Sequence, residues 1–317
     1  MRSAVLPNSD LRVSVVGLGC NAFGTRADRD SSIAILNSAF EAGVTLFDTA
    51  DIYGNGKSEE ILGEWLKERR DRVVVTTKGG GAGNKPAERG GSRAHLQRAL
   101  DASLKRLQTD YIDLYYVHYF DGVTPDDETF ATLDAFKREG KIRAVGISNY
   151  SAWQVCRTLW TSQRNTFVQC SVVQASYSLI DRTAEIEMLP LARAENLGFY
   201  AFWPLGGGIL TAKYHADAPP PPSSRLLTQP LFAQSVTSPR LSFAKRVAVM
   251  AGEHGWSPAQ LALAWVLKRP GVTGVLCGAT RTAQLDDNLG TVEIELPDDV
   301  MRELEELSAD AQRTPFR

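Results

Sequence analysis

The sequence predicts one α/β domain over residues 1–317, a (β/α)₈ barrel with long βα loops at the carboxyl ends of its eight parallel strands. Short runs rich in β-branched and aromatic residues recur at intervals of roughly 27–38 residues, the length of a strand–helix unit, through the seventh run. The runs are continuously apolar, as in a parallel sheet covered by helices on both faces. A chain of 317 residues has room for eight such units.

Each predicted strand is followed by a segment with helical periodicity or by a loop. The predicted strands are Val13–Gly19, Val44–Asp48, Arg72–Lys78, Tyr111–His118, Lys141–Ser148, Val168–Gln174, Gly198–Pro204 and Val272–Gly278. The predicted helices are Ser31–Glu41, Ser58–Lys67, Ser92–Leu107, Asp126–Arg138 and Ser151–Thr161. The last interval differs, because Pro219–Pro222 and Ser223–Pro239 predict a long surface loop. A helix then begins at Ser257–Pro258, as N-cap and first-turn proline, and continues through Gln260–Lys268.

Composition narrows the class of protein. The chain is 43% hydrophobic with a net charge of −2 and has no dense basic stripe, which argues against a nucleic-acid partner. It contains neither an apolar run of the ~20 residues that a membrane helix needs nor the apolar core of a signal peptide. The four cysteines are scattered, with no C-x-x-C pair to suggest zinc or a disulfide framework. We therefore expect a cytoplasmic protein that acts on small molecules without a metal; the oligomeric state stays open.

A dinucleotide-binding fold of the Rossmann type is the rival interpretation. Gly17–Ala22 follows a strand and satisfies G-x-G-x-x-G/A, and Asp48 ends the next strand, where such folds place an acid. That fingerprint requires a helix to begin at the glycines, so that its N-terminus can hold a pyrophosphate. Here Phe23–Asp30 intervenes, and the strand repeat continues without a second kind of domain. The barrel is therefore the better prediction.

Three consecutive predicted strands end in an ionisable residue, and these ends meet at one face of a barrel. The residues are Asp48, Lys78 and His118, and Tyr53 follows the first of them by a short turn. A tyrosine at its ordinary pKa of ~10 is a poor proton donor at neutral pH, and a neighbouring ammonium lowers that pKa. Lys78 can supply this charge, Asp48 can hold Lys78, and His118 can orient a carbonyl. Each residue alone is as easily structural, but together they predict a proton donor that needs an external hydride source.

Three motifs give the chain a family resemblance. Phe47–Gly54 reads F-D-T-A-D-I-Y-G, Asp113–His118 reads D-L-Y-Y-V-H, and Gly140–Asn149 reads G-K-I-R-A-V-G-I-S-N. Together they resemble the signatures of the aldo-keto reductase superfamily, and the resemblance extends over essentially the whole chain. It implies an NADP(H)-dependent interconversion of carbonyls and alcohols by direct hydride transfer. It also implies catalytic roles for Asp48, Tyr53, Lys78 and His118, with Tyr53 as general acid and base.

The same resemblance implies where the cofactor binds. For the nicotinamide it indicates Asp48, Ser148, Asn149, Gln174 and a stacked aromatic ring at Phe202, in a segment that here reads Phe202, Trp203, Pro204, Leu205. For the pyrophosphate it indicates Leu205, Gly206, Gly208 and Lys213, and for the adenosine Gly278, Thr280, Arg281, Gln284, Asp287 and Asn288. We also assign Gly19, Cys20 and Asn21, at the end of the first strand, to the cofactor.

The coenzyme prediction is a preference for NADP(H), with NAD(H) possible. A 2′-phosphate calls for cationic or hydroxyl donors, whereas a free 2′-hydroxyl is usually met by a carboxylate. The adenosine segment presents Thr280, Arg281, Thr282 and Gln284 before its first acid, Asp286. The donors come first, which favours the phosphate-bearing coenzyme.

The substrate is a carbonyl or alcohol that the sequence does not identify. Substrate choice in such barrels depends on loops after the strands, here Gly79–Gly91 and Tyr214–Ser238. The predicted pocket walls are Phe23, Tyr53, His118, Tyr119, Phe120 and Trp203. Two alternatives remain open at this point: an NAD-dependent sugar or alcohol dehydrogenase on the same fold, and an NADPH-binding regulatory protein of the potassium-channel β-subunit kind.

Overall fold

A computed structural model describes residues 1–81, 90–215, 218–221, 224–228 and 230–309. Eight parallel strands close into a barrel in the order β10-β3-β4-β5-β6-β7-β8-β9. The strands are β1 (Ser3–Val5), β2 (Arg12–Ser14), β3 (Val16–Gly19), β4 (Leu46–Asp48), β5 (Val74–Gly79), β6 (Ile112–Val117), β7 (Ile142–Ser148), β8 (Cys170–Ser176), β9 (Gly198–Phe202) and β10 (Gly274–Cys277). The predicted barrel is confirmed, and the rival dinucleotide fold is wrong.

Helices surround the barrel and cover the outer faces of its strands. They are α1 (Arg29–Glu41), α2 (Lys57–Leu66), α3 (Arg93–Leu107), α4 (Asp126–Arg138), α5 (Ala152–Asn165), α6 (Met188–Ala194), α7 (Arg225–Thr228), α8 (Pro230–Ala233), α9 (Ser238–Glu253), α10 (Pro258–Lys268), α11 (Thr282–Leu289) and α12 (Asp298–Ser308). Within the described part of the chain, no helix has both the length and the apolar composition needed to cross a membrane.

The predicted first strand is two strands in the structure. Residues 12–14 pair antiparallel with β1 in a short hairpin, and only Val16–Gly19 belongs to the barrel. Ser14 marks the break, because its hydroxyl donates to the Val16 carbonyl (2.8 Å) and accepts from the backbone N–H of Thr45 (3.1 Å). The hairpin carries Leu6 and Leu11, both almost fully buried, into the cluster that fills the barrel interior. It therefore closes the N-terminal end of the barrel.

The predicted long loop Ser223–Pro239 is wrong over part of its length. It contains α7 and α8, and α9 begins at Ser238 with Pro239 in its first turn. A proline in the first turn is compatible with a helix, since that N–H has no intrahelical partner. Phe232 and Phe243 are buried in the main hydrophobic core, so apolar contacts hold this segment against the barrel.

Side chains inside the barrel follow a period of two along each strand. The interior cluster includes one or two residues of each barrel strand from β4 to β10: Leu46, Val74, Leu114, Tyr116, Ala144, Val172, Tyr200 and Leu276. A second, larger cluster lies between the strands and the surrounding helices. The same period decides which side chains reach the open, C-terminal end.

Candidate active site

The predicted strand-end residues share the inward face of the barrel. Counting two or four residues on from the interior cluster gives Asp48, Lys78, His118, Ser148, Gln174, Phe202 and Gly278. In a strand, residues two apart point to the same side. The sequence therefore places these seven residues above the filled interior, around the mouth of the barrel.

Asp48 and Lys78 form a buried ion pair at the centre of this face. The Lys78 ammonium donates to Asp48 Oδ2 at 2.6 Å and to the Thr49 carbonyl at 2.7 Å. The other carboxylate oxygen of Asp48 accepts from the Thr76 hydroxyl at 2.6 Å and from the Gln174 amide at 3.1 Å. Both charged groups are buried, and their hydrogen bonds offset much of the cost of removing them from water.

Tyr53 lies in a tight turn directly after β4. Its backbone N–H donates to the Ala50 carbonyl at 3.1 Å, and Gly54 and Asn55 continue the turn with φ of 57° and 56°. Glycine and asparagine tolerate this left-handed conformation better than other residues. The Tyr53 ring centre lies 5.2 Å from the Lys78 ammonium and 6.1 Å from the centre of the His118 ring. The four predicted catalytic residues are therefore brought together.

The prediction that Lys78 lowers the pKa of Tyr53 is wrong for this arrangement. Burial and then the negative charge of Asp48 raise the pKa of Tyr53 well above its ordinary value, and Arg225 opposes them weakly. The charge of Lys78 is partly offset by its 2.6 Å contact with Asp48. The phenol therefore carries its proton throughout the neutral range.

His118 is held as a neutral imidazole. Burial, followed by the charge of Lys78, shifts its pKa well below the ordinary value. Among the described residues, its buried Nδ1 has no hydrogen-bond partner. A buried N–H without an acceptor is more costly than a lone pair without a donor, so the proton belongs on Nε2. In that tautomer Nε2 is a hydrogen-bond donor.

The residues predicted to bind the nicotinamide carboxamide lie at adjacent strand ends. Asn149 donates through its amide to the His118 carbonyl and to the Ser148 hydroxyl, both at 3.0 Å. Gln174 donates to Asp48 in the same way. These bonds occupy amide N–H groups and hold both side chains in place next to the Asp48–Lys78 pair.

The two neighbouring aromatics of this segment have different surroundings. Phe202 ends β9 and follows the interior residue Tyr200 by two positions, so it shares the inward face. Trp203, at φ 53°, is covered instead by the Arg225 guanidinium, 5.2 Å from its ring centre, and by the Phe232 ring at 6.4 Å. Phe202 is thus the aromatic better placed to stack on a ring at the barrel mouth.

A glycine turn after β9 lies beneath the Lys213 side chain. Gly206, Gly207 and Gly208 all have positive φ, which is strained for other residues. A methyl group at Gly208 would lie 2.9 Å from the Lys213 ammonium. The bare backbone and a half-buried cation therefore adjoin one another, which suits an anion approaching the turn.

Sequence reasoning missed two cations in this region, Arg26 and Arg225. Burial first, then Arg26, Arg225 and Arg281, lower the pKa of Lys213. Arg225 is 8% exposed, and burial followed by the charge of Arg26 lowers its pKa to about 10. The sequence signal was a single arginine at the start of α7, inside the stretch read as a loop. We call Arg26, Lys213, Arg225 and Arg281 the cationic rim.

The predicted adenosine segment forms the last βα turn. Thr280 donates to the Gln284 side-chain oxygen through its backbone N–H (2.9 Å) and hydroxyl (3.0 Å). Asp287 accepts from the Ser257 hydroxyl at 3.0 Å, and Asn288 is buried. Arg281 precedes α11 with an exposed side chain. Where β10 pairs with β3, the Gly19 carbonyl would lie 3.4 Å from a methyl group at Gly278, so the two backbones approach closely.

The predicted pocket walls have different surroundings. Phe23 is fully buried in the core between barrel and helices, so it has no surface to offer a substrate. Phe120 packs edge-to-face on Tyr150 (5.3 Å) and Trp153 (6.1 Å), beside α5. Tyr119 does lie against His118, with ring centres 4.6 Å apart. The loop Gly79–Gly91 was also predicted to shape the pocket, and residues 82–89 lie outside the described residues.

Within the described ranges, no group of three or more His, Cys, Asp or Glu side chains is arranged to hold a metal ion. The reacting groups available at the barrel mouth are a phenol, an imidazole and a paired ammonium.

Comparison with known proteins agrees with this geometry. The model of the aldo/keto reductase family matches residues 15–309. An uncharacterized oxidoreductase, YrpG, of Bacillus subtilis is 35% identical, covering 97% of this chain and 96% of its own. A probable voltage-gated potassium channel subunit beta of rice (Oryza sativa subsp. japonica) is 36% identical over 91% and 90%, and the protein tas of Escherichia coli K12 is 33% identical over 95% of each chain. The chain therefore belongs to the aldo/keto reductase family and is an oxidoreductase of the kind that acts on carbonyl groups.

Proposed function

We propose that this protein is an NADP(H)-dependent carbonyl reductase in which Tyr53 is the general acid, and in the reverse direction the general base. The observation that carries the proposal is the convergence of a protonated phenol, a neutral imidazole and a buried ammonium–carboxylate pair at the mouth of the barrel. None of these side chains can deliver a hydride. When bound, the cofactor supplies the hydride from C4 of its nicotinamide ring.

The side chains at the barrel mouth orient the substrate and transfer the proton. His118, with its proton on Nε2, donates a hydrogen bond to the carbonyl oxygen and orients it. Tyr53 gives its proton to the same oxygen as negative charge develops there. The high pKa of Tyr53 keeps its phenol protonated. Because an alkoxide is a stronger base than a phenolate, proton transfer from Tyr53 to the substrate oxygen remains favourable. Lys78 holds Asp48 and lies 5.2 Å from the centre of the phenol ring, where its positive charge stabilises the negative charge that develops as Tyr53 gives up its proton.

The choice of NADP(H) rests on the cationic rim. NADP(H) brings a pyrophosphate and a 2′-phosphate, and four basic side chains couple to one another on this side of the mouth. Like charges held together are destabilising until an anion separates them. Lys213 and Arg225 would face the pyrophosphate, and exposed Arg281 the 2′-phosphate. Phe202, Ser148, Asn149 and Gln174 would hold the nicotinamide.

Two other functions use the same fold. The relative named as a potassium channel subunit supports a regulatory protein that binds NADPH, and the four side chains at the barrel mouth fit either role. An NAD-dependent sugar or alcohol dehydrogenase would work mainly in the oxidative direction. Coenzyme oxidation with a panel of aldehydes, ketones, sugars and quinones separates a reductase from the regulatory protein, and coenzyme preference identifies the dehydrogenase.

Tyr53→Phe tests the proposal directly. The change removes only the phenolic hydroxyl, so NADPH binding should stay close to wild type. Carbonyl reduction should fall by ~10²–10⁴-fold, the usual contribution of a general acid. Turnover is followed by NADPH absorbance, and binding by quenching of protein fluorescence.

Tyr119→Phe is the matched control, because it removes a phenol from the ring that lies against His118. It should retain most of the activity. Equal loss in both variants, or comparable turnover in Tyr53→Phe and the wild type, would remove Tyr53 from the chemistry.

A further inference from the structure

A second group of buried ionisable side chains lies next to the catalytic set and has no part in the chemistry above. Glu59, on α2, is fully buried. Its two oxygens accept from the Thr77 hydroxyl and from Arg106 Nε, both at 2.6 Å. Asp51, in the turn after β4, lies within electrostatic reach of Glu59 and Arg106.

Asp51 is tied to the turn that carries Tyr53. Its backbone N–H donates to the Lys78 carbonyl at 3.2 Å, two residues before Tyr53. Its side-chain Oδ1 is shielded from solvent and has no hydrogen-bond partner among the described residues. A methyl group at Gly81 would lie 3.3 Å from that oxygen, so the backbone just after β5 packs closely on the carboxyl.

Among the described residues, the charges near Asp51 do not balance if it is ionised. Glu59 faces it from α2, Arg106 from α3 and Lys78 from β5, and the phenol of Tyr115 faces it from β6. Arg106 is already paired with Glu59, and Lys78 is paired with Asp48. Counting the described residues alone, an ionised Asp51 would be the third carboxylate, after Glu59 and Asp48, beside two cations that are already paired.

We propose that Asp51 is a positioning residue that acts as a neutral carboxylic acid, whose uncharged side chain allows the Tyr53 turn to pack against the end of β5. This inference rests on the proposed role of Tyr53. Ionisation of Asp51 would put it next to the Glu59 carboxylate, displace the turn and move the phenol away from the substrate oxygen. The rate of proton transfer would then fall, while coenzyme binding, which depends on other strand ends, would persist.

The titration of Asp51 falls in an accessible range. Burial, then the charge of Glu59, raises the pKa of Asp51 from 3.8 to about 7. The Ile52 N–H, Arg106 and Lys78 act to lower this pKa but are outweighed. A folded-state pKa above the unfolded one means that the folded protein binds the proton more tightly. The stabilisation is complete below the unfolded value and is lost as the pH rises through about 7. The free energy of unfolding should therefore fall as the pH rises toward about 7 and level off above it, whereas turnover, which follows the neutral form of Asp51, should fall above about 7.

The experiment compares wild type with Asp51→Asn between about pH 5.5 and about pH 9, following kcat, KM and thermal unfolding. In wild type kcat should fall with an inflection near 7, at nearly constant KM for the coenzyme. In Asp51→Asn, which has a neutral amide in place of the carboxyl, the inflection should disappear from both kcat and the unfolding temperature. Glu59→Gln is a second variant, in which the inflection should move to lower pH because a neighbouring negative charge is gone.

Asp121→Asn is the control. Asp121 lies in the βα loop after β6, and although burial acts to raise its pKa, donors from Thr124, Val123 and Gly91 keep that pKa below its ordinary value. Its replacement should leave the inflection in place. An inflection near 7 that persists in Asp51→Asn would overturn the inference, as would a wild-type unfolding profile that is flat from about pH 5 to about pH 8. Unfolding needs no turnover, so a wild type without reductase activity would defeat the proposed function separately.

Discussion

Buried ionisable groups at the two ends of the barrel differ in how completely they are hydrogen-bonded. At the N-terminal end, Asp113 is 1% exposed, and its carboxylate accepts from the Val75 N–H (2.9 Å), Arg70 (2.7 Å) and Arg143 (3.0 Å). Both of its oxygens are satisfied. At the C-terminal end Asp48 is equally well paired, yet His118 Nδ1 and Asp51 Oδ1 beside it are buried and have no partner in the part of the chain that the structure describes.

This contrast distinguishes charged groups that stabilise the fold from ionisable groups that lie at the candidate active site. A buried polar atom without a partner costs about 1–3 kcal/mol, so a fold tolerates it only where something else offsets the cost. The N-terminal end has a hydrophobic plug and an ion-pair network in which both oxygens of Asp113 have partners. The C-terminal end keeps strained turns, crowded cations and unsatisfied atoms together, as expected where ligands bind.

The first prediction tests the C-terminal end of the barrel, where the candidate active site lies. Lys78→Met should lower carbonyl reduction by ~10²–10⁴-fold, comparable to loss of a general acid, because the phenol loses the charge beneath its ring. It should also destabilise the fold, since Asp48 would remain buried with only its hydroxyl and amide donors. Steady-state turnover and thermal unfolding measure the two effects.

The double variant Lys78→Met with Asp48→Asn separates them. Removing both charges leaves no uncompensated ion, so stability should largely return while activity stays low. Recovery of activity in the double variant would mean that Lys78 matters only as a partner for Asp48.

The second prediction tests the N-terminal end of the barrel, where the buried ion pairs of Asp113 stabilise the fold. Asp113→Ala should lower the free energy of unfolding by ~3 kcal/mol, near the low end for breaking a buried ion pair, because Arg70 and Arg143 keep other partners. Turnover per folded molecule should not change. Asp10→Ala is the matched control, since Asp10 also pairs with Arg143 but is exposed, and its loss should cost under ~1 kcal/mol. A large loss of kcat in Asp113→Ala would contradict the division between the two ends.

The sequence was sufficient to predict one end better than the other. Asp48, Lys78 and His118 could be found because each ends an apolar run, and strand periodicity then places them on one face. The hairpin with Leu6 and Leu11 was missed because a strand of three residues gives almost no periodic signal. Apolar strand ends are local patterns, whereas the closure of the barrel at its base depends on contacts between distant parts of the chain.

Electrostatics could not be predicted from residue types alone. Lys78 lies close enough to Tyr53 to lower its pKa, but burial and Asp48 outweigh it, and neither the depth of the phenol nor the 2.6 Å ion pair is visible in a sequence. Arg225 was missed for a related reason. An arginine in a Pro/Ser-rich stretch is typical of a solvated loop, and only the fold shows it buried between Trp203 and Phe232.

The smallest expected effect concerns the coenzyme. Arg281→Ala should weaken NADPH binding by roughly ten- to a hundredfold, because a charge-assisted contact with the 2′-phosphate contributes ~1.5–3 kcal/mol. NADH lacks that phosphate, so its affinity should change little. Arg281 is exposed ahead of α11, and the neighbouring Gln284 oxygen already accepts from Thr280, so Arg281 is the cation that this turn presents to solvent. Dissociation constants for both coenzymes, measured at one ionic strength in wild type and variant, give the comparison. Arg302→Ala, on α12, controls for the loss of one positive charge. Tighter binding of NADH than NADPH by the wild type, or unchanged NADPH affinity in Arg281→Ala, would place the 2′-phosphate elsewhere on the cationic rim or assign the protein to NAD(H).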